Sequence, residues 1–145
     1  MNNEIIIKIK YMNGDMNNIT QIEQGDWIDL HTSEEVFIKA GEYYQIPLGV
    51  CMELPKGYEA IVAPRSSTFK KYGLLQCNSI GIIDESYCGD SDEWKMPVFA
   101  TRDVVLLPNT RIAQFRVIEH QPKIKFNIVE KLGNQSRGGF GSTGN

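Results

Sequence analysis

Residues Tyr43–Ala63 read YYQIPLGVCMELPKGYEAIVA, two β-rich runs, Tyr43 to Glu53 and Tyr58 to Ala63, joined across Pro55-Lys56-Gly57. Aromatic and β-branched side chains suit a pleated, half-buried surface, and a Pro-Lys-Gly step reverses the chain between two such surfaces. Working outward, the same vocabulary recurs in Val36 to Lys39, Leu74 to Asn78, Val98 to Arg102, Val104 to Leu107 and Ile112 to Glu119. Gly41, Gly89-Asp90 and Pro108-Asn109 stand between them as turn-formers. At the start, Glu4 to Met12 alternates, with Ile5, Ile7, Ile9 and Tyr11 on one face, and Asn13-Gly14 follows as a tight-turn signal. Many short strands at close spacing predict an all-β protein, a jelly-roll-like sandwich or barrel.

Ser66-Ser67-Thr68-Phe69-Lys70-Lys71-Tyr72-Gly73 is the one stretch with helical character, its hydroxyls suited to an N-cap and Gly73 to the position past the C-terminus. From Gly133 to Asn145 the chain holds five glycines, no aliphatic residue and a single aromatic, Phe140. Such a segment has no core of its own, so the predicted organisation is a β domain over residues 1–132 and a flexible arm over residues 133–145.

A chain of 145 residues, 41% hydrophobic, has the size of one domain with enough apolar material for a core. Met1 to Lys10 alternates charged and apolar residues, unlike a signal peptide, and no apolar run approaches the roughly 20 residues that cross a bilayer. No membrane association is expected. Cys51, Cys77 and Cys88 cannot all pair within the chain and lack zinc-ligand spacing, which predicts reduced thiols in a cytoplasmic protein. A net charge of −3 argues against a protein that coats nucleic acid, while a nucleotide-sized ligand remains compatible.

Several short segments carry chemistry. Arg137-Gly138-Gly139-Phe140-Gly141-Ser142-Thr143-Gly144 offers backbone amides open to close approach, hydroxyls, a cation and a ring, the parts of a phosphate-and-base clamp; it is equally the composition of a disordered terminus. Pro64-Arg65-Ser66-Ser67 follows a strand and opens the predicted helix, where unpaired amides favour anions; an ordinary cap with a surface arginine has the same letters. In Gly81-Ile82-Ile83-Asp84-Glu85-Ser86-Tyr87-Cys88-Gly89 two isoleucines lead into a carboxylate, a candidate general base beside apolar walls, or a turn-former ending a strand. Arg111-Ile112-Ala113-Gln114 begins the last long strand, as functional groups or as the polar end of an edge strand.

Taken in order, these segments resemble the motifs of the trimeric all-β deoxyuridine triphosphatases, in the form found in Gram-positive bacteria and their phages, from about Gly25 to the C-terminus. Asp26-Trp27-Ile28-Asp29-Leu30 resembles the first motif, Pro64 to Ser67 the second, Gly81 to Gly89 the third, Arg111 to Gln114 the fourth and Gly138 to Gly144 the fifth. The resemblance implies hydrolysis of dUTP to dUMP and pyrophosphate by a homotrimer with shared active sites. It places Asp84 as the base that deprotonates the attacking water, Gln114 as a residue holding that water and the phosphates, and Tyr87 under the deoxyribose. Asn78 with Ile82 and Ile83 would read the uracil edge, leaving cytosine with unpaired buried groups. Arg65, Ser66 and Ser67 would contact the phosphate chain. Phe140 would stack on uracil, and Gly141, Ser142 and Thr143 would close on the phosphates from a neighbouring subunit's arm. Mg²⁺ would be held mainly by the substrate phosphates, meeting Asp29 only through water.

The chain departs from that pattern in three places. The arm's usual Arg-Gly positions hold Gln135 and Ser136, so Arg137 is expected to substitute for the phosphate-binding arginine. Trp27-Ile28 replaces the common Ala-Gly of the first motif, and Asp90 to Trp94 is an unusually long acidic stretch, a surface loop or an interface. Trp27 and Trp94 are expected to be packing residues. Two other readings are a dCTP deaminase, which would need Glu85 on the same side as Asp84, and a regulatory relative that binds nucleotide or, if phage-encoded, a repressor protein.

Overall fold

The computed structural model describes residues 4–141, and Ser142 and Thr143 of the expected arm lie outside the described residues. Eleven strands and one short helix follow in chain order: β1 (Lys8–Tyr11), β2 (Ile28–His31), β3 (Val36–Ile38), β4 (Tyr43–Pro47), β5 (Val50–Glu53), β6 (Tyr58–Pro64), α1 (Thr68–Tyr72), β7 (Leu74–Gln76), β8 (Gly81–Ile83), β9 (Lys95–Ala100), β10 (Val104–Leu106) and β11 (Arg111–Glu119). They form a four-stranded sheet in the order β2-β11-β6-β8, a three-stranded sheet β4-β9-β7 and the two-stranded ribbons β1-β5 and β10-β3, every pairing antiparallel. The expected all-β, jelly-roll-like architecture is present, and no sheet closes into a barrel.

The sheets face one another across a single apolar core. Leu30 of β2, Ile46 of β4, Val62 of β6, Leu74 of β7, Met96 and Val98 of β9, and Ile112 and Phe115 of β11 are all buried in it. In β9 the buried residues Met96, Val98 and Ala100 alternate with less buried Lys95, Pro97 and Phe99, the period of a strand with one face inward. Trp94 is fully buried and meets Phe115 edge to face, ring centroids 5.3 Å apart at 83°. The packing role expected for Trp94 holds. Trp27 is half-buried at the surface, under the guanidinium of Arg116, 5.6 Å from its carbon to the ring centroid.

Several elements differ from the sequence expectation. The run Tyr43 to Glu53 is two strands in different sheets, broken at Leu48-Gly49. Gly49 adopts φ +72, and a Cβ there would lie 2.1 Å from Met16 Sδ, so only glycine fits. The segment Asp90 to Trp94 is not a free surface loop: Glu93 Oε2 accepts from the Gly49 amide at 2.9 Å, and Trp94 exchanges backbone bonds with Leu48 and Val50. The first strand is shorter than Glu4 to Met12, and of its alternating set Ile7 and Tyr11 are half-buried while Ile5 and Ile9 are exposed.

The helix spans five residues, little more than one turn, so its dipole adds little at Arg65. Ser67 stands at the N-cap but makes no side-chain cap bond. The nearby hydroxyl that works is that of Thr68, which accepts from the Arg65 amide at 2.9 Å and donates to the Ile112 carbonyl at 2.9 Å. Gly73 ends the helix at φ 67, as expected. Beyond Glu119 the described residues, 120–141, form no helix or strand, and Ile124, Phe126, Ile128 and Leu132 are exposed.

Candidate active site

Antiparallel pairing brings the first, second and fourth segments to one end of the four-stranded sheet. Gln114 of β11 lies opposite Asp29 of β2 on one side and Ala63 of β6 on the other. β11 is therefore an interior strand, not an edge. Asp29 Oδ1 accepts from Arg65 Nε at 3.0 Å, and its Oδ2 lies 3.5 Å from Arg111 Nη1. Arg65 Nη1 also donates to the Arg111 carbonyl at 3.4 Å, and Gln114 Nε2 to the Pro64 carbonyl at 3.0 Å. One partly buried carboxylate thus orients two guanidinium groups whose outer faces remain wet, and Ser66 is exposed beside them. Fixed cations with exposed donors suit a multiply charged anion such as a phosphate chain.

The third segment lies at the opposite end of β6. Strand β8 pairs with β6 through Gly81 with Val62, Ile82 with Ile61 and Ile83 with Ala60, so Asp84 emerges beside Glu59. Ser86 grips the Asp84 carboxylate twice, its hydroxyl at 2.5 Å and its amide at 2.9 Å from Oδ2, and the Tyr87 amide donates to the Asp84 carbonyl at 3.0 Å. The two Ser86 bonds, the hydroxyl's first, hold the Asp84 carboxyl below the ordinary carboxylate range. Apolar walls, expected from the sequence, do not enclose it: Asp84 is exposed and Ile82 is 62% exposed. Tyr87 donates its hydroxyl to the Glu93 carbonyl at 2.9 Å, and Asn78 Oδ1 accepts from Gln76 Nε2 at 2.9 Å, which leaves the amide donors of Asn78 on the exposed side of the turn.

In the arm, Gly138 and Gly141 take φ of 86 and 87, and Phe140 takes φ 52 with its ring fully exposed. Arg137 Nε donates to the Gly138 carbonyl at 3.2 Å, a contact within the arm itself.

The dUTPase family model matches residues 17–144. The prophage-derived deoxyuridine 5'-triphosphate nucleotidohydrolase YosS of Bacillus subtilis is 53% identical over 95% of this chain and 97% of its own. The chain belongs to the dUTPase family. The deoxyuridine 5'-triphosphate nucleotidohydrolase of Clostridium acetobutylicum is 41% identical over 81% of each chain. Among solved structures, the dUTPase of Streptococcus mutans superposes with a TM-score of 0.71 at 22% identity over 81% of this chain and 98% of that one. A substituted form of the Staphylococcus bacteriophage 80alpha dUTPase gives 0.80 at 17% identity over 96% and 98%. At those identities the superpositions speak to the dUTPase fold. Dutp diphosphatase, the enzyme class implied by the motifs, is the class of these named relatives.

Two features of this family member were not foreseen in the sequence. Arg111 opens a matched motif, yet its ion pair with Asp29 depends on a register shift between Arg111 and Ala113 that no local pattern announces. Ser86 sits between the two expected site residues, and a hydroxyl two positions after an aspartate is the signal that could have identified it.

The Ser86 contact has a measurable consequence. A base acts in its charged form, so lowering its pKa keeps it competent to lower pH, and competence is lost as pH falls through that pKa. Ser86→Ala removes the stronger donor and is expected to move the Asp84 titration, followed by carboxyl-carbon NMR, upward toward the ordinary carboxylate value. An unmoved titration would assign the lowered pKa to some other cause.

Proposed function

We propose that the protein hydrolyses dUTP to dUMP and pyrophosphate within a homotrimer whose active sites are shared between subunits. The observation that carries this reading is the separation of the two half-sites. Asp84 leaves β8 beside Glu59 while Arg65 follows Pro64, six β-residues further along, which at about 3.3 Å per residue is roughly 20 Å. One chain cannot hold a single nucleotide against both, whereas the Asp84 end of one subunit facing the Arg65 end of another can.

In the assembled site Asn78 and the exposed backbone around Ile82 and Ile83 bind the uracil edge, and Tyr87 lies under the deoxyribose. Arg65, Ser66 and Ser67 bind the phosphates. Asp84 takes a proton from water as the water oxygen bonds to the α-phosphorus; the bond from that phosphorus to the bridging oxygen breaks, and pyrophosphate leaves. Gln114 helps place the water, and the guanidinium groups oriented by Asp29 stabilise charge on the leaving phosphates. The arm supplies Arg137, Phe140, Gly141, Ser142 and Thr143 from another subunit, closing the site against bulk water.

Mg²⁺ fits this arrangement as a partner of the substrate. Each Asp29 oxygen already has a guanidinium neighbour, and each retains a lone pair for a water molecule of a hydrated ion. Asp29 would hold that ion at one remove, and when bound it would neutralise phosphate charge. The free thiols of Cys51, Cys77 and Cys88 accord with action in the cytoplasm.

The test is pyrophosphate release with Mg²⁺ from dUTP, dCTP, dTTP and UTP in parallel, with metal-stripped enzyme as blank. Release from dUTP alone is expected. The prophage origin named for the Bacillus subtilis relative favours a second reading, a regulatory protein whose partner is a repressor. Binding of dUTP without release would support it.

A further inference from the structure

We propose that Glu85 and His120 are positioning residues for Asp84, clamping the turn that carries it to the far end of β11. The inference rests on the reading of Asp84 as the base.

Glu85 follows Asp84 in the turn after β8, and its carboxylate reaches the β5-β6 turn and His120. There each of its oxygens has a neighbour. Oε2 accepts from the Gly57 amide at 3.1 Å, and Oε1 lies 3.6 Å from His120 Nδ1. The His120 amide in turn donates to the Gly57 carbonyl at 2.9 Å, extending the β6-β11 pairing past Tyr58 and Glu119. The β5-β6 turn, the residue after the base and the residue after β11 thereby close into one ring of contacts.

The ring borders the groove of the base itself. Asp84, Glu59, His120 and Lys123 line one open cavity of about 480 Å³. Among the described residues, His120 Nε2 is buried with no hydrogen-bond partner, so the imidazole is held by its Nδ1 side and backbone alone. Asp84 is gripped from its other flank by Ser86 and by the Tyr87 amide. Without Glu85 the turn is held by that flank and by the β8-β6 pairing that ends at Ile83, and the carboxylate can shift relative to a water placed by another subunit. The same contacts speak against a deaminase role for Glu85, since its oxygens face Gly57 and His120.

A positioning role separates from a structural one in kinetics. Glu85→Ala is expected to lower kcat by up to about 100-fold, the cost of an ångström-scale misplacement, while KM for dUTP stays within a few-fold. Glu85→Gln keeps an acceptor for the Gly57 amide and should recover most of the loss. Glu85→Ala with His120→Ala should be no slower than Glu85→Ala alone, because both changes open the same ring. Melting curves and analogue binding run alongside. An unchanged kcat in Glu85→Ala, a loss confined to KM, or a loss that follows the unfolded fraction overturns the proposal. Asp84→Asn in the same series separates the two levels: if it remains active, the base reading itself fails; if it is dead while Glu85→Ala is unimpaired, only the clamp fails.

Discussion

Asp84→Asn is expected to reduce kcat for dUTP by about 10²- to 10⁴-fold, the contribution typical of a positioned general base. The substitution keeps the volume and planarity of the side chain, and the carbamoyl oxygen can still accept from the Ser86 amide and hydroxyl that now grip Oδ2. What it removes is the capacity to take a proton from water. Nucleotide binding should persist, because the groups proposed to hold base, sugar and phosphates are elsewhere. Single-turnover pyrophosphate release, with calorimetric binding of a non-hydrolysable dUTP analogue, measures both. Turnover within a few-fold of the parent would remove Asp84 from the role of base; lost binding would make it a ligand-holding residue instead.

Deleting Gly133 to Asn145 is expected to lower kcat/KM by at least about 10²-fold, since even one oriented donor at a developing charge contributes that much and the arm would supply several. Its effect on the fold should be small. The buried hydrophobic residues run from Met16 to Phe115, and the described residues beyond 120 are nearly all exposed and outside any helix or strand. No described residue of the deleted segment belongs to the core, so the melting temperature should stay within a few degrees. A truncated protein that melts early would assign the arm a structural role, and one that retains full activity would remove it from the site.

The fold was legible where a local pattern decides it. Strand period, turn chemistry at Pro55-Lys56-Gly57 and the left-handed stop at Gly73 identified most elements. The break at Leu48-Gly49 was not legible, because it depends on Met16 and Glu93, distant in sequence, closing on Gly49. Of the candidate site, the segments were legible and their arrangement was not. Which end of β6 each would reach follows from the β6-β8 and β6-β11 registers, and register is a property of paired strands. The apolar surroundings expected for Asp84 failed for a related reason: Ile82 and Ile83 precede it in a strand, and alternation sends Ile82 outward.

The tyrosine proposed to lie under the deoxyribose hangs by its hydroxyl from the carbonyl of Glu93, and the next residue is the fully buried Trp94. On that proposal, sugar selection leans on the interior packing that holds the Glu93 carbonyl in place. A substitution at Trp94 is then expected to reach the floor of the proposed ribose pocket through the backbone at Glu93, from one residue beneath its surface.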